Sequence, residues 1–409
     1  MIRRLLFSPG PSRLLALSLL LGVALGGGAS GPATLLKSAP SRYDATMTAL
    51  TTDATGAPIL AWVEISPAGT QSIGHLHAAR WNGGWTALGG TLNENVLHNA
   101  WQLSAVRGPD AQPWLGWAED AGTAHVDSYL MSRWDGHAWS DPSRYAVRRN
   151  LSDAGKSRAF TVTASNVPYL TWTNIYYPGA FAQVVQPFYW QGRVWEQQTV
   201  PLNHSIGSAA FFPAAARSPD GTLYTAWLEG DVAHSNVYVA QLGPAQINAA
   251  QADQRWTYLG GALNVRPHTY TFAPQLAAGA DGLVAAWLED VGGIDNLFVK
   301  RWNGSGWTSL GTSLNINPKR LAERPNLALD ERGYPLLTWV EGVDGLRRAY
   351  AKRWNGQAWT LLGGGPLNTD ARHDARSASV TVDGEGRAVL AWCEQAGQRY
   401  RVMLRRFAR

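Results

Sequence analysis

The sequence predicts an all-β, seven-bladed β-propeller, and three observations lead to this fold class. First, a small residue, a tryptophan, an apolar residue and usually a glutamate recur seven times, at intervals of 52 to 60 residues. The anchors are Trp62, Trp117, Trp172, Trp227, Trp287, Trp339 and Trp392. Such a period is typical of one supersecondary unit copied along the chain. Second, each unit contains four short apolar runs separated by Asp/Gly or Asn/Gly turns, which predicts a four-stranded meander. Third, the two ends of the chain complete one unit.

The unit spanning residues 326–364 shows why the strands must pack as blades. Its four runs are NLALDERG, YPLLTWVEG, RRAYAKRWNG and QAWTLLGG. In the second run, Leu337 lies on the side of Trp339, while Thr338 and Val340 lie on the other, so both faces need cover. The residue before each anchor is small, which favours close approach of a neighbouring sheet. Small sheets packed face to face in a circle meet both requirements.

The chain ends predict how the circle closes. The last unit stops after its third run, and the segment ATLLKSAP near the N-terminus matches WTLLGGGP, which occupies the fourth-strand position of the sixth unit. We therefore expect Ala33–Leu36 to supply the fourth strand of blade seven. The propeller would then occupy residues 31–409.

Residues 1–30 are predicted to be a secretory signal peptide. Arg3, Arg4 and Arg13 precede an apolar run from Leu14 to Ala24, and small residues follow it. The run is too short to span a bilayer. We expect a secreted, periplasmic or cell-surface protein without a membrane span. Without the leader the formal net charge falls from +5 to +2, which gives no reason to invoke nucleic acid. A monomer is the expected state.

The segments RWNGSGWTSLG (301–311) and KRWNGQAWTLLGG (352–364) resemble the tryptophan-rich repeats of secreted bacterial β-propellers. The resemblance covers nearly the whole mature chain, and it implies the architecture but no activity, since that family is largely without assigned function. A weaker similarity links the Asn/Asp-Gly turns to the Asp-box hairpins of sialidase-type propellers, although the Asp-box serine and threonine are not maintained. The chain is also similar to propeller lectins, but no binding motif carries over residue by residue.

Two repeated features have a structural and a functional interpretation. Of the 20 tryptophans, 18 fall at repeated strand positions, which favours packing over sugar stacking; Trp101 and Trp114 are the exceptions. Glutamate follows the anchor tryptophan by two residues in six units, with Asn174 in the third. These glutamates could form a carboxylate ring for cations or acid–base chemistry, or each could accept hydrogen bonds from a neighbouring blade or an indole. Their recurrence favours the hydrogen-bonding role.

The segments leading into the first strand differ between blades, as a binding face requires. Blades two to five carry aromatic residues there, and blades six and seven carry cations. If these segments surround the mouth of a central channel, they suit an acidic sugar or a peptide with carboxylates. Alternatively, the aromatic rings fill blade interfaces and the arginines lie in water. The candidates for ligand binding are Trp101, Phe160, Phe212, Tyr270, Phe272, Arg320, Arg324, Arg372, His373 and Arg376.

Blade three adds the segment NIYYPGAFAQ, in which Tyr176 and Tyr177 are further binding candidates. The segment could be a recognition loop or a longer hairpin that packs on its neighbour. The arginine-rich C-terminal stretch alternates with Tyr400, Val402 and Leu404, which indicates the solvated side of an outer strand.

No catalytic or metal-binding motif stands out. His75 and His77 share a strand face without a third ligand, so no metal and no cofactor is expected, and calcium at loops such as Asp290–Asp295 or Asp120–Asp127 is the open alternative. The leading hypothesis is a non-enzymatic secreted propeller that binds a glycan or a protein. The alternatives are a glycoside hydrolase or lyase of sialidase-like type that uses the arginine-bearing mouth, and a purely structural cell-envelope protein.

Overall fold

The protein is a seven-bladed β-propeller in which every blade is a four-stranded antiparallel sheet, as the sequence predicts. The computed structural model describes residues 34–36, 39, 41–68, 71–120, 126–150, 157–176, 182–198, 200–205, 207–231, 233–247, 255–267 and 269–409. The predicted leader (1–30), Ala33 and Tyr177 lie outside the described residues.

In the first six blades the strands follow one another in chain order from the channel outward. Blades one and two contain β2 (Asp44–Thr52), β3 (Pro58–Ala68), β4 (Gln71–Trp81) and β5 (Trp85–Ala87), then β6 (Asn99–Arg107), β7 (Pro113–Asp120), β8 (Val126–Arg133) and β9 (Val147–Asn150). Blades three and four contain β10 (Arg158–Val162), β11 (Pro168–Tyr176), β12 (Ala182–Trp190) and β13 (Trp195–Gln197), then β14 (Ala210–Arg217), β15 (Leu223–Gly230), β16 (Ser235–Leu242) and β17 (Thr257–Tyr258). Blades five and six contain β18 (Thr271–Gly279), β19 (Gly282–Asp290), β20 (Asp295–Trp302) and β21 (Trp307–Ser309), then β22 (Leu321–Leu329), β23 (Pro335–Gly342), β24 (Arg348–Trp354) and β25 (Trp359–Leu361).

The seventh blade joins the two ends of the chain. Its strands are β26 (Ala375–Val382), β27 (Ala388–Ala396), β28 (Arg399–Phe407) and, outermost, β1 (Thr34–Leu36). Thr34 pairs with Arg406 and Leu36 with Leu404, so the predicted closure by the N-terminal strand is confirmed. The stretch containing Tyr400 is therefore the third strand of its blade and not an outer one.

Among the described residues, helical structure is confined to short segments between strands. They are an α-helical turn at Pro244–Ile247 and 3₁₀ turns at Pro142–Tyr145 and Leu362–Gly364. Within the described part of the chain, no helix is long and apolar enough to cross a membrane.

The hydrophobic core lies between blades. Leu336, Val340 and Ala349 of blade six pack with Val380 and with the anchor Trp392 of blade seven. In blade two the small residue before the anchor has the predicted reason: a Cβ added to Gly116 would lie 2.5 Å from the ring of Phe160 in the next blade. At the seam between blades seven and one, Gly384 donates from its backbone N–H to the carbonyl of Gly56 at 2.8 Å. Gly56 has a φ of 79°, and a Cβ there would lie 2.4 Å from the Cα of Gly384.

The closure predicts a large effect of a small change in β1. Leu36 is 4% exposed and packs with Leu60, Trp62 and Val389 across the seam. We expect Leu36→Ala to lower the free energy of unfolding by about 2–5 kcal/mol, because it leaves a cavity in this core. Leu97→Ala is the matched control, since Leu97 is 69% exposed, and it should change stability by less than about 0.5 kcal/mol. Equal effects in urea titrations would contradict closure by β1.

Candidate functional site

The repeated glutamates bind the segments that connect one blade to the next. Glu289, which is fully buried, accepts from the backbone N–H groups of Val265 and Arg266 at 2.9 and 2.8 Å, and from the indole N–H of Trp287 at 3.1 Å. Each of the other five glutamates also accepts from two successive backbone N–H groups and from the indole of its anchor tryptophan. These are Glu64, Glu119, Glu229, Glu341 and Glu394. The interpretation of these carboxylates as hydrogen-bond acceptors is confirmed.

A Leu-Asn pair completes this network, and the sequence analysis missed it. Asn315 accepts from the backbone N–H of Leu297 at 2.9 Å, and its amide donates to the carbonyls of Asp295 and Arg320. It therefore joins the third strand of blade five to the entry of blade six. The signal was visible as a recurring Leu-Asn 25 or 26 residues before the glutamate, at Asn93, Asn203, Asn264, Asn315 and Asn368.

The tryptophans of the outer strands also have packing partners. Trp302 and Trp307 meet at 5.5 Å between ring centroids, and the indole of Trp307 donates to the carbonyl of Leu259 in the preceding blade. Trp354 and Trp359 repeat this arrangement, with Leu310 as the acceptor. Trp114 is 1% exposed and belongs to the core as well.

The side chains that differ between blades enter the channel from a repeated backbone irregularity. In five blades the pairing of the first two strands shifts at a β-bulge, and one residue there has a positive φ of 41° to 52°. These residues are Gln102, Phe212, Ala273, Arg324 and Ser377. Bulges re-aim a side chain, and all five line one cavity of about 460 Å³ on the axis of the ring. The scaffold thus repeats the bulge and varies the residue it presents.

Three of the predicted binding residues line this channel cavity: Phe160, Phe212 and Arg324. Phe212 is 45% exposed, whereas Phe160 is almost wholly buried against the neighbouring blade. No carboxylate belongs to the described lining, which contains two cations, Arg324 and Arg158.

The remaining aromatic candidates lie elsewhere. Trp101 borders a separate pocket between blades one and two. Tyr270 and Phe272 stack on each other at 5.7 Å, and Phe272 packs into the core of its blade. Tyr176 ends strand β11, and its side chain is outside the described part.

The cationic candidates of blades six and seven are spread along the rim. Arg320 is exposed, and Arg372 binds Asp370 at 2.7 Å. His373 Nδ1 lies 3.4 Å from Glu394. Arg376 covers the ring of Tyr400 at 3.7 Å.

A second cluster, which the sequence analysis did not identify, lies between blades six and seven. Nη1 of Arg347 is 3.3 Å from Oε2 of Glu323 and 3.2 Å from Oδ1 of Asp344, while Nη2 is 3.4 Å from Oδ2 of Asp374. Burial disfavours the charge of Arg347, but Asp374, Glu323 and Asp344 together raise its pKa. The guanidinium therefore stays charged and holds three carboxylates around it.

The carboxylates of this cluster differ in solvent access. The side chains of Glu323 and Asp344 are 29% and 88% exposed, while that of Asp374 is 1% exposed and accepts from the hydroxyl of Tyr400 at 2.7 Å. Burial and the neighbouring Asp374 raise the pKa of Tyr400 to about 12, so this tyrosine is a neutral donor and not a nucleophile near neutral pH. We call Glu323, Asp344, Arg347, Asp374 and Tyr400 the Arg347 cluster. Two of its carboxylates are accessible to solvent, and the buried one contacts the arginine from the interior.

The described ranges contain no group of three or more His, Cys, Asp or Glu side chains placed to hold an ion. Asp290, one of the residues considered for calcium, caps its own loop by accepting from the backbone N–H of Gly293 at 2.6 Å.

Comparison with solved structures supports the propeller architecture. The β-propeller domain of the Trilobed protease from Pyrococcus furiosus aligns with a TM-score of 0.50 and 9% identity over 88% of this chain and 94% of that one. The GH93 α-L-arabinofuranosidase of Fusarium graminearum gives 0.49 and 9% over 93% and 98%. The Trypanosoma rangeli sialidase gives 0.46 and 11% over 89% of this chain but 55% of its own. No protein-family model and no curated protein matches the sequence.

These neighbours correct the order of the functional hypotheses. Several of them are glycoside hydrolases, which goes against the non-enzymatic binding role that the sequence analysis placed first. We withdraw that role and take up the glycoside-hydrolase alternative. Likeness at such low identity establishes the fold alone, so the case for an enzyme must come from the side chains of this chain.

The glutamate network predicts a loss of stability on a nearly isosteric change. In Glu289→Gln one carboxylate oxygen becomes an amide group that faces N–H donors, so we expect the free energy of unfolding to fall by about 1–3 kcal/mol. Glu331→Gln is the control because the Glu331 side chain is 52% exposed. A Glu289→Gln variant as stable as this control in denaturant titrations would rule out the hydrogen-bonding role.

The bulges predict opposite effects of glycine at two alanines of strand β18. Ala273 has a φ of 49°, whereas Ala277 has no positive φ. Glycine at a left-handed position removes a strain of about 1 kcal/mol. Glycine at an ordinary strand position costs about 1 kcal/mol, because it loses more conformational freedom on folding. Ala273→Gly should therefore be neutral or stabilising and Ala277→Gly destabilising in thermal unfolding. Equal destabilisation of both variants would contradict the bulge geometry.

Proposed function

We propose that the protein is a glycoside hydrolase that cleaves an anionic glycan beside the mouth of the channel, with Glu323 and Asp344 as its catalytic carboxylates. The observation that carries this proposal is the contact of both carboxylates with one nitrogen of Arg347, at 3.3 and 3.2 Å. Glycoside hydrolysis needs two carboxyl groups on either side of the bond, one as acid and the other as base or nucleophile.

The position of Glu323 supports this role. Among the described first strands of the blades, only Glu323 and Asp44 are acidic. Equivalent positions in blades two, four and five hold Trp101, Phe211 and Phe272, according to the register of the bulges. Glu323 also directly precedes Arg324, which lines the channel cavity. A sugar that enters the cavity would therefore pass a carboxylate at a position where blades two, four and five have an aromatic ring.

The surrounding groups hold the two carboxylates in place. Asp374 accepts from the backbone N–H of Arg347 at 2.6 Å, in addition to its guanidinium, and so fixes that arginine from the buried side. Tyr400 holds Asp374 in turn. A rigid arginine keeps the two exposed carboxylates in a defined geometry, which contributes more to rate than binding alone. The exposed Arg320 and Arg324 provide attraction for a negatively charged substrate. Export by the predicted leader would bring the protein to extracellular glycans.

The proposal is tested by turnover of a panel of arabinosides, sialosides and polyuronates, with release of reducing ends as the readout. We expect one anionic class to be cleaved, and Glu323→Gln or Asp344→Asn to lower kcat by at least about 100-fold with an unchanged melting temperature. Glu331→Gln, an exposed glutamate at the other end of blade six, is the matched control and should keep full activity.

Two results would overturn this assignment. One is the absence of cleavage across the panel. The other is cleavage that both substitutions leave intact. An unsaturated uronate among the products, detected by its ultraviolet absorbance, would show that the protein is a lyase and not a hydrolase.

A further inference from the structure

One position of the repeat carries opposite charges in two neighbouring blades. It is the first-strand residue that pairs with the residue after the anchor tryptophan. Glu323 pairs with Val340 in blade six, and Arg376 pairs with Cys393 in blade seven. Blades two, four and five have an aromatic residue at this position: Trp101, Phe211 and Phe272. Equivalent positions of adjacent blades lie side by side around the ring, so Arg376 lies at the same height as Glu323.

A short series of contacts joins Arg376 to the Arg347 cluster. The guanidinium carbon of Arg376 is 3.7 Å from the ring centroid of Tyr400. The hydroxyl of Tyr400 donates to Oδ2 of Asp374 at 2.7 Å, and the same oxygen is 3.4 Å from Nη2 of Arg347. One carboxylate oxygen therefore lies between the tyrosine that carries Arg376 and the arginine that contacts Glu323.

The ring of Tyr400 fixes the orientation of Arg376. A cation at 3.7 Å from a ring centroid lies on the face of the ring, where the aromatic quadrupole attracts it. The tyrosine is itself held, because its hydroxyl remains a donor to Asp374: burial and this carboxylate raise the pKa of Tyr400 to about 12. A planar guanidinium that stacks by its face keeps its N–H groups at the edge, where they can reach a ligand.

The N–H groups of Arg376 have no partner among the described residues. No described carboxylate lies within 4.0 Å of its guanidinium, and the group donates to no described acceptor. The side chain is half-buried, and none of its nitrogen atoms is sealed from solvent. Nearby arginines differ in this respect, since Arg347 contacts Asp374 and Arg372 contacts Asp370. Arg376 is thus an oriented guanidinium that is open to a ligand.

Arg324 adds a second positive charge on this side of blade seven. Burial raises the pKa of the Cys393 thiol to about 12, and the charges of Arg324 and Arg376 both act against that rise. Both guanidiniums therefore lie near the same buried atom. Asp44, a carboxylate that also acts on this thiol, accepts from the backbone N–H of Tyr400 at 2.7 Å. Two cations against one carboxylate leave a positive potential that attracts an anion.

We propose that Arg376 determines the specificity of the hydrolase, and that its N–H edge binds the carboxylate of an acidic sugar beside the bond at Glu323. The planar fork of arginine matches a carboxylate through two parallel hydrogen bonds. This inference rests on the proposed function and deepens it, because it names a sugar carboxylate as the anionic group and assigns the residue that recognises it. The carboxylate belongs either to a uronic acid or to a sialic acid, and the experiment separates these two sources.

The experiment is calorimetric titration of Glu323→Gln, which binds a glycan without turnover. The probes are digalacturonate and sialyllactose, each beside its methyl ester, which keeps the shape of the sugar and loses the charge. We expect one of the two acids to bind at least about 10-fold more tightly than its ester. Adding Arg376→Gln should abolish this difference by weakening the acid alone, at an unchanged affinity for the ester.

Two further variants separate recognition from folding. Arg376→Lys keeps the charge but loses the planar fork, and we expect about 10-fold weaker binding of the acid at an unchanged melting temperature. Arg401→Gln is the matched control. Arg401 is exposed and follows Tyr400 directly in strand β28, so its side chain lies on the opposite face of the sheet. Its replacement should leave the affinities for acid and ester unchanged.

Three results would overturn the inference: no binding of either acid, equal affinity of each acid and its ester, or an equal loss for acid and ester in Arg376→Gln. Cleavage of an anionic glycan that Arg376→Gln leaves unchanged would refute this assignment and leave the proposed function standing. Binding of an acid that depends on Arg376, without cleavage of any glycan, would refute the proposed function and support the carboxylate site.

Discussion

The hydrogen bonds that each repeated glutamate accepts impose the main constraint on this molecule. A buried carboxylate needs several donors, and here they come from the indole two residues earlier and from the backbone of the segment entering the blade, as Glu289 shows with Trp287, Val265 and Arg266. That segment is also bonded to the preceding blade through a Leu-Asn pair. One side chain therefore fixes the position of its blade relative to its neighbour. Six of the seven blades have this glutamate, and the pairing of β1 with β28 closes the circle.

This arrangement separates the parts of the sequence that build the propeller from those that distinguish its blades. The anchor tryptophans, the glutamates and the tryptophan pairs of the outer strands are committed to packing. The bulge of the first strand is also repeated, but the residue at its positive φ differs between blades: glutamine, phenylalanine, alanine, arginine and serine. Each of these blades therefore presents a different side chain to the channel from the same backbone geometry. The Arg347 cluster is likewise confined to one blade interface.

The fold could be predicted from the sequence because it depends on period, turn residues and apolar faces, all of which are local. The closure by residues 34–36 followed from the missing strand of the last unit.

The candidate site could be predicted from the sequence only in part. Arg324 and Phe212 were identified from the variation between blades, but Trp101 and Phe272, at neighbouring positions, turn toward blade interfaces, because a bulge changes which residues face the channel. The Arg347 cluster could not be found, since it joins positions 323, 344, 347, 374 and 400 through packing of two blades. The Leu-Asn pairs were visible as a repeat and were overlooked.

If ligand chemistry resides in blade-specific residues at the channel mouth and not in the repeated tryptophans, a bound glycan must lie beside Glu323. A crystal structure of Glu323→Gln with the anionic glycan that the wild-type protein cleaves tests this. We expect sugar density at the channel mouth, with the glycosidic oxygen beside residue 323 and Asp344. Density on an outer tryptophan pair such as Trp302 and Trp307, with an empty channel, would contradict it.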